Sequence, residues 1–239
     1  MKISTRSIRT TIQELTLGTY RISRVKNDGS FEALPGGADV INDIMKDIPI
    51  RSLRWQTKAS LSKRGIRVVK ESHVRFGAYI APGVVLMPFT FVNIGAWVGE
   101  NTMIDTGATI GAGAQIGSNV HISGKVSIGG VLEPRQAKPV IIEDGCFIGA
   151  LSAISEGAHI GQNAVIAAHT TLNSSIKIFD VRGAGKPKEL PKGYIPPNVV
   201  VVPATYKGRG GFSYPCVVIY KDVSEGTKTK TKINTSLRG

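Results

Sequence analysis

FVNIGAWVGENTMIDTGATIGAGAQIGSNVHISG, residues 91–124, decides the fold of this chain. Within it Val92, Val98, Ile104, Ile110, Ile116 and Ile122 recur every six positions. Followed outward, the series starts at Val68, Val74, Ile80 and Leu86 and continues to Ile128. It slips by eight residues, then resumes at Ile142, Ile148, Ile154, Ile160, Ile166, Leu172 and Ile178. A second register runs beside it. Small residues such as Thr90, Ala96, Thr102, Ala108, Ala114, Cys146, Ser152, Ala158, Ala164 and Thr170 follow four places after an aliphatic.

Helices repeat at about 3.6 residues and strands at about 2, so neither produces a period of six. Period six marks a parallel β-helix, in which each hexapeptide is a short strand and a turn. The aliphatic points into a narrow core and the small residue fits the corner. Three hexapeptides close one triangular coil, so eighteen repeats predict six coils. At about 4.8 Å per rung the prism would stand roughly 29 Å tall. Its two ends carry unpaired strand edges, and the flanking segments are the expected caps. The interruption GGVLEPRQAKPVI, residues 129–141, reads as an excursion loop with two prolines.

Three segments follow: a small α or α+β domain at 1–67, the β-helix at 68–178 and a C-terminal capping segment at 179–239. In the first, helical stretches are expected at 7–17 and 38–46 and a strand near 20–25. In the last, 179–193 reads as loop, 198–204 and 214–223 as strands, and the tail frays or caps the last coil.

The net charge of +13 divides unevenly. Residues 1–67 hold 13 basic and 6 acidic side chains, residues 68–178 hold 6 and 7, and residues 179–239 hold 11 and 4. Basic flanks around a neutral prism are not the stripe that tracks a nucleic acid, so no nucleic-acid partner is expected. No run of about 18 apolar residues occurs, so no membrane span is expected. MKISTRSIRTTIQEL lacks the apolar core of a signal peptide, and two cysteines make no disulfide scaffold. A cytoplasmic protein is expected. Cys146, at a small-residue position, reads as a core thiol and not a nucleophile.

For chemistry, Asp105 follows core Ile104 directly and should point outward from a nearly neutral prism. A carboxylate there can take the proton that an attacking amine must lose. Glycine-rich turns can offer N–H donors to a developing oxyanion. The histidines are His73, His121, His159 and His169. A zinc site would need three of them at ligand distance on adjacent turns, and their spacing does not suggest it. No metal is expected. A non-enzymatic solenoid would have no use for the acidic residues.

Several segments are more specific than a generic hexapeptide: IRVVKESHVRFGAYIAPGVVLMP, the stretch quoted first, VSIGGVLEPRQAKPVIIEDGCFIGA, SEG, PCVVIYKDV and INTSLR. Together they resemble the tetrahydrodipicolinate N-succinyltransferase family over about residues 66–237. The resemblance implies a left-handed β-helix and a homotrimer with active sites between subunits. It implies succinyl-CoA, or another acyl-CoA, lying along the prism as co-substrate. The acceptor would be a small amino dicarboxylate whose amine attacks the thioester. It gives catalytic roles to Asp105, in MIDTGAT, and Glu156, in SEG, and substrate binding to Arg67. It places Gly107 and Leu151 in the substrate groove, with Ala150, Ser152 and Ala168 along the cofactor. Lys177 and Lys186, with Lys188, are the basic residues expected near CoA phosphates. Three positions depart from the family: Gly107 stands for Trp, Leu151 for Arg, and His169 lies where a Gly is lost. Loss of the cation opens a second reading, an N-acetyltransferase using acetyl-CoA.

Overall fold

The structure, a computed structural model, describes residues 5–47, 54–231 and 233–234. The hexapeptides form two-residue rungs, each ending on a buried aliphatic. Rungs eighteen residues apart pair in parallel, and insertions lengthen that spacing in two coils. Three flat faces result. The first stacks Val68, Leu86, Ile104, Ile122, Ile148 and Ile166. The second stacks Val74, Val92, Ile110, Ile128, Ile154 and Leu172. The third stacks Ile80, Val98, Ile116, Ile142, Ile160 and Ile195. All of these aliphatics are buried, so the six-residue period becomes one continuous core.

The corners show why small residues recur there. Thr102 Oγ1 donates to the Gly117 carbonyl at 2.9 Å and accepts from Val120 N–H at 3.1 Å. Cys146 Sγ donates to the Gly161 carbonyl at 3.1 Å. Burial pushes that thiol well above its ordinary pKa, in keeping with a core thiol. Some corners tolerate only hydrogen. A Cβ on Gly99 would lie 2.5 Å from the Gly117 carbonyl carbon on the coil above.

Ile178 does not complete the sixth coil. Leu172 is followed by an excursion, and the third-face rung is Tyr194–Ile195. Ile178 lies instead in Lys177–Asp180, paired in parallel with Ser213–Asp222 and antiparallel to Lys188–Leu190. The segment expected as loop therefore contains a strand pair. Val199–Lys207 extends the first face as a seventh strand and turns back through Ser213–Asp222. Ile178, Val201, Val217 and Ile219 close the core at this end. The tail forms helix Glu225–Thr231 rather than fraying, and 235–239 lie outside the described residues.

The N-terminal part holds helix α1 (Thr5–Leu17), strands β1 (Ser23–Val25) and β2 (Phe31–Ala33), and helix α2 (Gly37–Asp47). These elements lie along the third face rather than over an end. Ile8, Ile22, Ile41 and Ile44 bury against Ile94, Ala112 and Val131 of the prism side. Each such side chain contributes about 1.5–3 kcal/mol. Val131 belongs to the 129–141 excursion, which is thus an anchor and not only an exposed loop. The first-coil end is covered by helix α3 (Lys58–Ser62), whose Leu61 joins the prism core.

Polar contacts fix the hairpin on the third face. Gln115 is fully buried; its Nε2 donates to the Gly113 carbonyl at 2.9 Å, which turns Oε1 outward. That oxygen accepts from Ser23 Oγ at 2.9 Å and Arg21 Nε at 3.1 Å. The Arg21 guanidinium lies 4.5 Å from the Trp97 ring centroid and 4.6 Å from that of Phe31. Burial, partly opposed by Asp144, pushes its pKa down to about 10.

Candidate active site

One corner of the prism, between the first and second faces, collects five of the expected site residues: Asp105, Gly107, Ala150, Leu151 and Ala168. The chain needs a left-handed residue at each of its turns. Successive coils place Glu71, Phe89, Gly107, Lys125, Leu151 and His169 there, with φ between 57° and 73°. The turns stack: Gly107 N–H donates to the Pro88 carbonyl, Lys125 to Thr106, Leu151 to Gly124 and His169 to Ala150. Gly107, Leu151, Ala150 and Ala168 therefore form one row with Asp105.

Asp105 is partly exposed on this row. Its Oδ1 accepts from Thr106 N–H at 2.6 Å. Its Oδ2 lies 3.9 Å from the position a Cβ on Gly124 would occupy. The next coils carry backbone donors. The N–H groups of Gly124, Ala150 and Ala168 make no hydrogen bond among the described residues. A carboxylate beside a row of unspent N–H groups can deprotonate an amine and hold carbonyl oxygens. Two large apolar side chains flank the row, Phe89 at 62% exposed and Leu151 at 51%.

The other expected residues lie elsewhere. Ser152 turns inward, donating to the Ala167 carbonyl and accepting from Thr170 N–H, both at 3.1 Å. Arg67 stands outward on the first rung of the first face, two coils below Asp105. Lys177 is already paired with Glu189 at 2.9 Å and lies over Tyr206 and Phe179. The hydrogen bond to Glu189 raises its pKa. Lys186 lines a shallow cleft with Lys188 and Arg182, and Arg182 is held by Asp180 and Asp222. His121, His159 and His169 sit on the first face, the third face and a corner, so they do not converge.

Glu156 occupies the corner between the second and third faces, again in a left-handed turn. Its carboxylate accepts from the Ser174 hydroxyl and from Ser174 N–H at 3.2 Å. It borders a cleft of about 670 Å³ between the β1–β2 hairpin and the third face, lined also by Lys26, Lys138, His159 and Tyr194. Within one chain, Asp105 and Glu156 are thus on different corners and two coils apart.

Buried Glu143 secures this cleft and was not singled out from the sequence. It is 3% exposed, and its carboxylate accepts from Phe31 N–H at 2.8 Å, His159 Nε2 at 2.7 Å and Gln162 N–H at 3.0 Å. Burial alone would raise its pKa. The bonds from His159, Phe31 and Gln162 outweigh burial, and the carboxyl sits below the ordinary glutamate value. A depressed carboxyl adds stability above its unfolded pKa and loses it as pH falls through the native one. Glu143→Gln is expected to cost about 1–3 kcal/mol in urea unfolding at neutral pH. The gap to wild type should narrow on acidification below the ordinary glutamate range.

Comparison with known proteins agrees with the repeat. A family model described as "Bacterial transferase hexapeptide (six repeats)" matches residues 95–130, and one described as "Hexapeptide repeat of succinyl-transferase" matches 139–174. Such repeats wind as left-handed parallel β-helices, and this prism is of that class. Proteins named 2,3,4,5-tetrahydropyridine-2,6-dicarboxylate N-succinyltransferase align with most of the chain. One from Methylobacterium sp. is 51% identical over 85% of this chain and 71% of its own. One from Polynucleobacter asymbioticus is 40% identical over 97% and 89%. One from Xylella fastidiosa is 49% identical over 76% of this chain, a match spanning 64% of that relative's length. With both motifs and more than two thirds of two relatives matched, this chain belongs to the tetrahydropyridine-dicarboxylate N-succinyltransferase family of hexapeptide-repeat proteins.

Proposed function

We propose that the chain is an acyl-CoA-dependent N-acyltransferase. It moves a succinyl group from succinyl-CoA to the amine of ring-opened tetrahydrodipicolinate, a step toward diaminopimelate and lysine. The observation that carries this reading is the corner row on which Asp105 is followed by the unbonded N–H groups of Gly124, Ala150 and Ala168. The thioester lies along that row, its carbonyl oxygens accepting from those donors. Asp105 takes the proton from the attacking amine, and the tetrahedral oxyanion collapses with departure of the CoA thiolate.

Glu156 cannot join Asp105 within one chain, since a full prism face separates their corners. A homotrimer with its sites in the grooves between subunits supplies it from a neighbour. The acceptor's carboxylates then meet the cationic rim around Glu156, where Lys26 and Lys138 line the cleft. Arg67 is assigned to the same substrate from the edge of the first face. Lys186 and Lys188 serve the CoA phosphates.

A second reading, transfer of acetyl from acetyl-CoA, is favoured by Leu151, apolar and exposed on the donor row. Initial rates with succinyl-CoA and acetyl-CoA, each with tetrahydrodipicolinate, separate the two. Succinyl-CoA is expected to give the higher kcat/KM; preference for acetyl-CoA overturns the succinyl assignment, and absence of transfer from any CoA thioester overturns the enzyme reading.

A further inference from the structure

The corner row holds one residue that neither the repeat nor the acid chemistry uses. Lys125 stands on the coil between Gly107 and Leu151, at φ 57°. It directly follows Gly124, whose missing side chain would touch the Asp105 carboxylate. Its stem leans down over Gly107: Lys125 Cγ lies 3.5 Å from where a Gly107 Cβ would be. The stem thus packs over Gly107 at ordinary van der Waals distance. The ammonium makes no ion pair or hydrogen bond among the described residues, while many other cations of the chain do.

The neighbours on the row are Phe89, Gly107, Leu151 and His169. Lys125 is therefore the one fixed positive charge among the left-handed turn residues from Phe89 to His169. A charge in that place does nothing for a donor that ends in a methyl group. It suits a donor whose acyl chain carries its own carboxylate, one rung or about 4.8 Å from the reacting carbonyl. The geometry points to Lys125 as the residue that reads the acyl group, its ammonium pairing with the distal carboxylate of a succinyl chain. This rests on the acyltransferase reading and deepens it.

The test is Lys125→Met, which keeps the stem and removes the charge. The ratio of kcat/KM for succinyl-CoA over acetyl-CoA should fall about 30-fold. Lys125→Arg, which restores a cation, should recover most of it and also shows that the position accepts substitution. An equal loss with both donors, or an unchanged ratio, overturns the proposal. Binding of succinyl-CoA and acetyl-CoA to wild type and Lys125→Met, measured by calorimetry without acceptor, separates this from the wider reading. If no variant or wild type transfers an acyl group, the enzyme reading fails. The Lys125 assignment then stands or falls on whether the wild type's binding preference for succinyl-CoA vanishes in Lys125→Met.

Discussion

Asp105→Asn is expected to lower kcat by about 10²- to 10⁴-fold while the β-helix stays folded. The substitution isolates the proton chemistry. Asn keeps an oxygen that can accept from Thr106 N–H, the contact Asp105 makes at 2.6 Å. It keeps the size of the side chain beside Gly107 and Gly124. It cannot take a proton from an amine. The loss should therefore appear in kcat more than in the KM for either substrate, and the circular dichroism spectrum and melting temperature should match wild type. Retained activity in a folded variant would remove Asp105 from the base role.

The placement of Glu156 sharpens this result. Because the two acids sit on different corners, Glu156→Gln should also be strongly impaired, and the two dead proteins should complement each other. In the proposed trimer, assemblies refolded from a mixture of the two would contain interfaces where Asp105 from one chain meets Glu156 from another. Random mixing of the two proteins restores roughly a quarter of the sites. If the mixture is as inactive as its parts, the two residues do not share a site across subunits.

Ile116→Ala has the second large expected effect, a loss of about 2–5 kcal/mol in stability. Ile116 sits fully buried on the third coil, stacked between Val98 below and Ile142 above. Rungs bond to those directly above and below, and these two-residue strands cannot shift without breaking ladders on both sides. The cavity left by the substitution thus stays open. Urea unfolding at fixed protein concentration measures it, since assembly shifts apparent stability by mass action. A loss below about 1 kcal/mol would show that neighbouring coils relax into the gap. The adjacent Gln115→Leu should behave differently. It disturbs the seat of the hairpin, where Ser23 and Arg21 bond the amide oxygen, and leaves the prism core intact.

The prism was legible in the chain because its physics is local and repeated. An aliphatic every six residues states which side chains face inward, and eighteen residues per coil then fix which turns stack. The same arithmetic already aligned Gly107 with Lys125, eighteen positions on, and, across the eight-residue slip, with Leu151. Asp105 was legible as an outward acid because it directly follows core Ile104. Sequence period could not say that the sixth coil closes on Ile195, because Ile178 fits the spacing equally well; pairing of Lys177–Asp180 with the distant Ser213–Asp222 strand decided it.

Tertiary structure alone decided the rest, for one physical reason: the deciding contacts join residues far apart in the chain and follow no period. The +13 charge and a short helical start gave no sign that the N-terminal part would lie along a face. That follows from Ser23 meeting Gln115, Phe31 meeting Glu143 and Gly29 meeting Gln162. Nor does spacing show a lysine stem lying over a glycine, or two acids parted by a whole face. The sequence by itself determined the β-helix, its core and the acid on its corner. Only the folded chain decided which face the N-terminal part covers, which corner holds each acid and that the stem of Lys125 packs over Gly107.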